Sequence, residues 1–112
     1  MTENEKRDAN SLYKYLMKLD CPATKEMMLS YLGWTKQKER QLRMLLSEIA
    51  KKMPIISTSD TRGYYIAKNK NDLDAVEHQW AEISSRIEEL EKRIKPLLEF
   101  REKYIGEKFK NE

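Results

Sequence analysis

Apolar positions change period twice along this chain, and the changes divide it into elements. Leu12, Leu16 and Leu19 stand at i, i+4 and i+7, the stripe of an amphipathic helix over about residues 5–19. Asp20, Cys21 and Pro22 break that pattern. Thr24 can accept a hydrogen bond from an orphan N–H of a first turn, so a second, shorter helix is expected through Met27, Met28, Tyr31 and Leu32, stopped by Gly33. Thr35 is placed to cap a third helix reaching about Lys52, with Leu42, Leu45, Leu46 and Ile49 on one face, before Pro54 forbids its continuation. Gly33 tolerates a positive φ, which allows a sharp turn between the two short helices.

From Met53 to Ala67 the chain reads MPIISTSDTRGYYIA. Two β-prone runs flank SDTRG, a turn-forming stretch, and this predicts a hairpin. Tyr64 and Ile66 alternate at period 2, which directs them to the core under Met53 and Ile55.

Helix signals resume at residues 69–72 and persist to about Tyr104, with spacings that alternate strictly between three and four. Leu73, Trp80, Ile87 and Ile94 fall at a, and Val76, Ile83, Leu90 and Leu97 at d, giving four heptads. Such a helix is expected to be a coiled-coil strand roughly 50 Å long that needs a partner for its seam. Ile at a with Leu at d favours a parallel pair, and Arg86 at g can face Glu91 at e of a neighbour; bulky Trp80 leaves antiparallel or higher-order pairing open. Pro96, at c, predicts a bend or break. Beyond it Leu98, Phe100, Tyr104, Ile105 and Phe109 widen the apolar surface, which either packs back on the preceding domain or binds another protein.

A length of 112 residues fits one compact domain with an appended helix. Charged residues are 37% and hydrophobic residues 39%, polar for a single globule of this size and consistent with an elongated shape. Residues 1–70 carry 14 Lys and Arg against 8 Asp and Glu, a charge of +6, and residues 71–112 carry 8 against 11, a charge of −3. That asymmetry suits a chain of which only the first part meets a polyanion. Cys21 is the single cysteine, the opening MTENEKRDAN is charged where a secretory signal would be apolar, and no run is long enough to span a membrane; a cytoplasmic setting is expected. Cys21 and His78 stand far apart with no supporting motif, and there is no phosphate-cradling Gly loop or metal-ligand spacing. No enzymatic activity, cofactor or metal is expected.

The segment LGWTKQKERQLRMLLSEIAKKMPIISTSDTRGYYIA resembles the winged helix-turn-helix domains of bacterial repressors and small phage-encoded regulators. PIIST followed by RGYYIA carries the wing signature, and the likeness covers about residues 5–68. One departure is the wholly polar KQKERQ at 36–41, where these domains commonly offer an apolar residue to the core. The fold expected is mainly α with a small β-hairpin: a winged domain at 1–68 and an oligomerisation helix at 69–112. The resemblance implies that a recognition helix at 35–52 enters a DNA major groove while a wing at 57–64 touches the adjacent backbone or minor groove. With Leu42, Leu45 and Ile49 inward, Lys36, Gln37, Arg40, Arg43 and Ser47 turn outward, and Thr35, Lys38 and Gln41 complete the candidate DNA contacts on that helix. In the wing, Arg62 is the candidate minor-groove cation, with Ser59 and Thr61 as phosphate partners.

The expected partners are double-stranded DNA and a second copy of the chain, in a dimeric transcriptional regulator or a phage-type DNA-binding accessory protein. Two rivals stand beside this: an interaction module that captures a partner protein through the helical tail, and a DNA-binding component of genome packaging or replication.

Overall fold

Thr2 opens the first helix, its hydroxyl accepting the Glu5 N–H at 3.2 Å. This helix, α1 (Glu3–Lys18), carries Glu3 and Glu5 in its first turn and Lys18 in its last, both favourable to the helix dipole. The structure is a computed structural model that describes residues 1–58 and 63–110, with side chains described as far as residue 106. A two-residue strand, β1 (Ala23–Thr24), leads into α2 (Lys25–Leu32), and Thr24 caps that helix as its position predicts, accepting the Met27 N–H at 3.2 Å. A 3-10 turn at Lys36–Lys38 precedes α3 (Glu39–Ala50). Then come β2 (Ile55–Ser57), β3 (Gly63–Ile66), a 3-10 turn at Lys70–Asp72 and α4 (Leu73–Lys110).

The protein is therefore mainly helical, with a small antiparallel sheet and a long C-terminal helix. The expected hairpin is present, with Ile55 opposite Ile66 and Ser57 opposite Tyr64. It is not alone: β1 pairs with the other edge of β3, so the sheet has three strands in the order β1-β3-β2. A two-residue strand leaves no periodicity to read, which is why the sequence pattern missed it.

Gly63 makes that third strand possible. A Cβ there would lie 2.8 Å from the Pro22 Cβ and 3.2 Å from the Ala23 carbonyl oxygen, so only a residue without a side chain lets β1 approach. Thr58 closes the other side of the hairpin. Its N–H and hydroxyl both donate to the Gly63 carbonyl, at 2.9 and 3.0 Å, and the hydroxyl oxygen accepts the Gly63 N–H at 3.1 Å.

The chain divides into two compact units, Met1–Val76 and Glu77–Glu112. In the first, α1, α2, α3 and the sheet enclose one apolar core whose most deeply buried side chains are Leu12, Leu16, Met28, Leu42, Leu45 and Ile66. Each contributes about 1.5–3 kcal/mol by leaving water. Tyr15 and Tyr31 stack at 4.2 Å between ring centroids, joining α1 to α2. Tyr64 and Met53 pack half-buried against the core, and Trp34 does the same beside the α2–α3 turn.

Three expectations change. The first helix ends at Lys18, with Leu19 already extended. The polar run KQK at 36–38 is a 3-10 turn rather than the first turn of a single helix, and Thr35 makes no side-chain cap there. None of those residues has an apolar side chain to bury, so packing gives them no reason to continue the α3 stripe backwards. Helix α4 runs through Pro96 without a break. Its neighbours are all exposed, so water can satisfy the Lys92 carbonyl that Pro96 leaves unpaired.

Gly33 and Gly63 should respond differently to substitution. Gly33 sits at φ 70° with open space at its Cβ, so Gly33→Ala should cost about 1 kcal/mol through backbone strain and Gly33→Asn less. Gly63→Ala should cost about 1–3 kcal/mol by collision, and Gly63→Asn more still. Denaturant unfolding of the four variants checks this; Gly63→Asn as stable as the parent would refute the close-approach account.

Candidate nucleic-acid interface

Helix α2 ends in a turn that fixes where α3 begins. Gly33 adopts φ 70°, ψ 27°, its N–H donates to the Ser30 carbonyl at 3.1 Å, and the Trp34 N–H donates to the Leu29 carbonyl at 2.8 Å. These two bonds form a Schellman motif, which satisfies the last carbonyls of α2 and turns the chain sharply. Across the turn, Lys25 at the start of α2 and Glu39 at the start of α3 pair at 3.1 Å.

Leu42, Leu45, Leu46 and Ile49 are buried, and their burial sets the rotation of α3 about its axis. Arg40, Arg43 and Ser47 consequently share the opposite, exposed face at i, i+3 and i+7. Lys36 and Gln37 extend the exposed surface from the preceding 3-10 turn, together with Thr35. Among the described residues the side chains of Lys36, Gln37, Arg40 and Ser47 have no hydrogen-bonding or ionic partner. Arg43 approaches Glu39 only at 3.9 Å and remains largely exposed, so it too is available to a ligand.

Lys38 and Gln41 lie elsewhere. Both line an open groove of about 460 Å³ between α3 and the start of α1, where Glu5 and Asp8 supply negative charge and Arg7 a cation. The Lys38 ammonium sits 5.0 Å from the centre of the Trp34 ring, a cation–π contact. The eight candidates on the third element thus divide into an outward face and a groove-lining pair. Ser59, Thr61 and Arg62 lie outside the described residues, so only the base of their turn, Thr58 and Gly63, is placed.

Not every cation of this region is uncommitted. Lys51 donates to Glu48 at 2.9 Å, and that hydrogen bond with its attendant charge holds the Glu48 carboxyl below its usual pKa. Lys68 donates to the Leu19 carbonyl at 2.7 Å, tying the end of β3 to the end of α1. Neither Lys25 nor Glu39 stood out in the sequence, because residues on different helices share no spacing signal; only the tertiary turn brings them together. Among the described residues no group of His, Cys, Asp and Glu is placed to hold a metal ion. No described helix is long and apolar enough to cross a membrane.

Comparison of the chain with protein-family models, curated proteins and solved structures found no match.

The Lys25–Glu39 pair is partly exposed, so it should add little to stability even though it spans the turn. A double-mutant cycle with Lys25→Met and Glu39→Gln is expected to give a coupling below about 1 kcal/mol that shrinks with added salt. A salt-insensitive coupling above about 2 kcal/mol would mean that the ion pair, and not the Gly33 turn with the apolar core, sets the angle between the helices.

Proposed function

We propose that the protein is a double-stranded DNA-binding protein of the winged helix-turn-helix kind, acting as a dimeric regulator or a phage-type accessory protein. The observation that carries this reading is the outward face of α3: Arg40, Arg43 and Ser47 in line on one helix, continued by Lys36 and Gln37, with the apolar face buried behind them. A helix held this way by a tight turn and followed by a β-hairpin has the dimensions of a major-groove reader. Arg43 and Arg40 can neutralise phosphates on any duplex and bond guanine edges bidentately at a specific site, Gln37 can bond adenine, and Lys36, Thr35 and Ser47 can contact phosphates. The turn between β2 and β3, with Arg62, is assigned to the neighbouring backbone or minor groove. Charge supports the assignment, since the first 70 residues carry +6 and the rest −3.

Helix α4 supports self-assembly. Its seam from Trp80 to Leu97 is exposed, and a second copy would cover it while supplying a second reader. The same exposed seam favours the rival in which the tail captures a different protein, so the DNA and assembly functions require separate measurements.

Titration of random duplex DNA across a salt series tests the DNA reading. Affinity should fall steeply as salt rises, and Arg40→Ala and Arg43→Ala should each weaken binding and reduce the salt slope by about 1. Glu39→Gln, which removes a carboxylate from beside the basic face, should tighten binding at low salt. Unchanged affinity in both arginine variants, or no binding at low salt, overturns the assignment.

A further inference from the structure

The seam of α4 is flanked by charges sorted by sign. In the heptad register the e positions hold Glu77, Ser84 and Glu91, and the g positions hold Gln79, Arg86 and Arg93. One flank is therefore acidic and the other basic. On the outer face Lys92 pairs with Glu89 at 3.3 Å, and the His78 imidazole lies 3.3 Å from the Glu82 carboxylate, all four at f and c positions. Among the described residues Arg86, Glu91 and Arg93 form no ion pair within the chain. Between the flanks the apolar seam stands open to solvent, with Trp80 69%, Ile87 50%, Leu90 53% and Leu97 70% exposed.

We propose that α4 pairs with a second copy of itself, parallel and in register, as a two-stranded coiled coil. This rests on the self-assembly proposed above and fixes its geometry. In a parallel pair each g residue meets the e residue five positions later on the other chain. Arg86 then meets the partner's Glu91, the one pair of opposite charges, while Arg93 lays its aliphatic stem against the partner's Leu98 and Phe100 meets the partner's Ile105. An antiparallel pair instead sets e against e and g against g. Glu77 and Glu91 would then lie against the same acidic flank and Arg86 and Arg93 against the same basic one, a repulsive arrangement. Ile87 and Ile94 at a, with Leu90 and Leu97 at d, add a packing preference for two strands. Because each chain's first unit precedes its helix, a parallel coil joins both first units to its N-terminal end.

Two full-length variants test the orientation, each in a Cys21→Ser background because the native cysteine is exposed. Ile83→Cys and Leu97→Cys are 14 residues apart, about 21 Å along a helix. A disulfide needs Cα atoms within about 7 Å, so an antiparallel coil can join at most one of these like pairs, whereas a parallel in-register coil joins both. The expected result is covalent dimer from both variants under mild oxidation, with a dimer mass for the unmodified chain by light scattering. Arg86→Glu should raise the dimer dissociation constant by roughly 5- to 20-fold, and Arg86→Glu with Glu91→Arg should restore it.

A dimer mass with only one variant cross-linked, or with no recovery in the double variant, overturns the parallel geometry and leaves self-assembly standing. A trimer or larger species overturns the two-stranded coil, and a monomer overturns self-assembly as well. Cross-linking of both variants in a chain that fails to bind DNA supports this proposal while removing the DNA reading.

Discussion

Burial of Leu42, Leu45, Leu46 and Ile49 is the constraint from which the rest of the first unit follows. A helix buries about a third of its circumference at a packed face, so once four side chains are committed inward the rotation of α3 is fixed. Arg40, Arg43 and Ser47 face water because those four residues do not. The same core receives Leu12 and Leu16 from α1, Met28 and Leu29 from α2 and Ile66 from β3. Anything that loosened it would blur the outward face, because close-packed interiors transmit displacement instead of absorbing it.

Two glycines determine how the secondary elements meet that core. Gly33 supplies a left-handed residue that ends α2 and redirects the chain within two residues. Gly63 supplies absence of bulk, letting Pro22 and β1 close against β3. The first acts through backbone torsion and the second through space. Together they place the α3 face and the paired strands β2 and β3 on one small scaffold, with Thr58 bonded to Gly63 where those strands meet.

Electrostatics then separates committed charges from uncommitted ones. Lys51 is held by Glu48, Lys68 by the Leu19 carbonyl, and Lys25 by Glu39, whereas Lys36 and Arg40 have no such partner among the described residues. On α4, Lys92 at f pairs with Glu89 at c, whereas among the described residues Arg86, Glu91 and Arg93 at e and g form no ion pair. In the proposed reading the first uncommitted set meets phosphates and base edges, and the second meets another copy of the helix. Glu5 and Asp8, lining the groove beside α1, bring negative charge to the Lys38–Gln41 side of α3, and Glu39 stands beside Arg43.

Local chemistry was enough to read most of the elements. Leu42, Leu45, Leu46 and Ile49 at helical spacing, Thr24 as a cap, Gly33 as a stop, the β-branched runs either side of SDTRG and the heptads from Leu73 to Leu97 each depend on residues a few positions apart. The outward side of α3 followed from the same spacing. What the sequence could not determine depends on residues distant in the chain. The strand at Ala23–Thr24 exists only because β3 offers it an edge, Lys25 meets Glu39 only across the turn, and Lys38 with Gln41 joins a groove whose other wall is the start of α1. The switch from 3-10 turn to α-helix at Glu39 belongs with these, since the buried stripe that stabilises α3 begins only at Leu42. Periodicity encodes which face of an element is apolar; which neighbours that face and its flanks meet is settled by packing between segments that the linear order keeps apart.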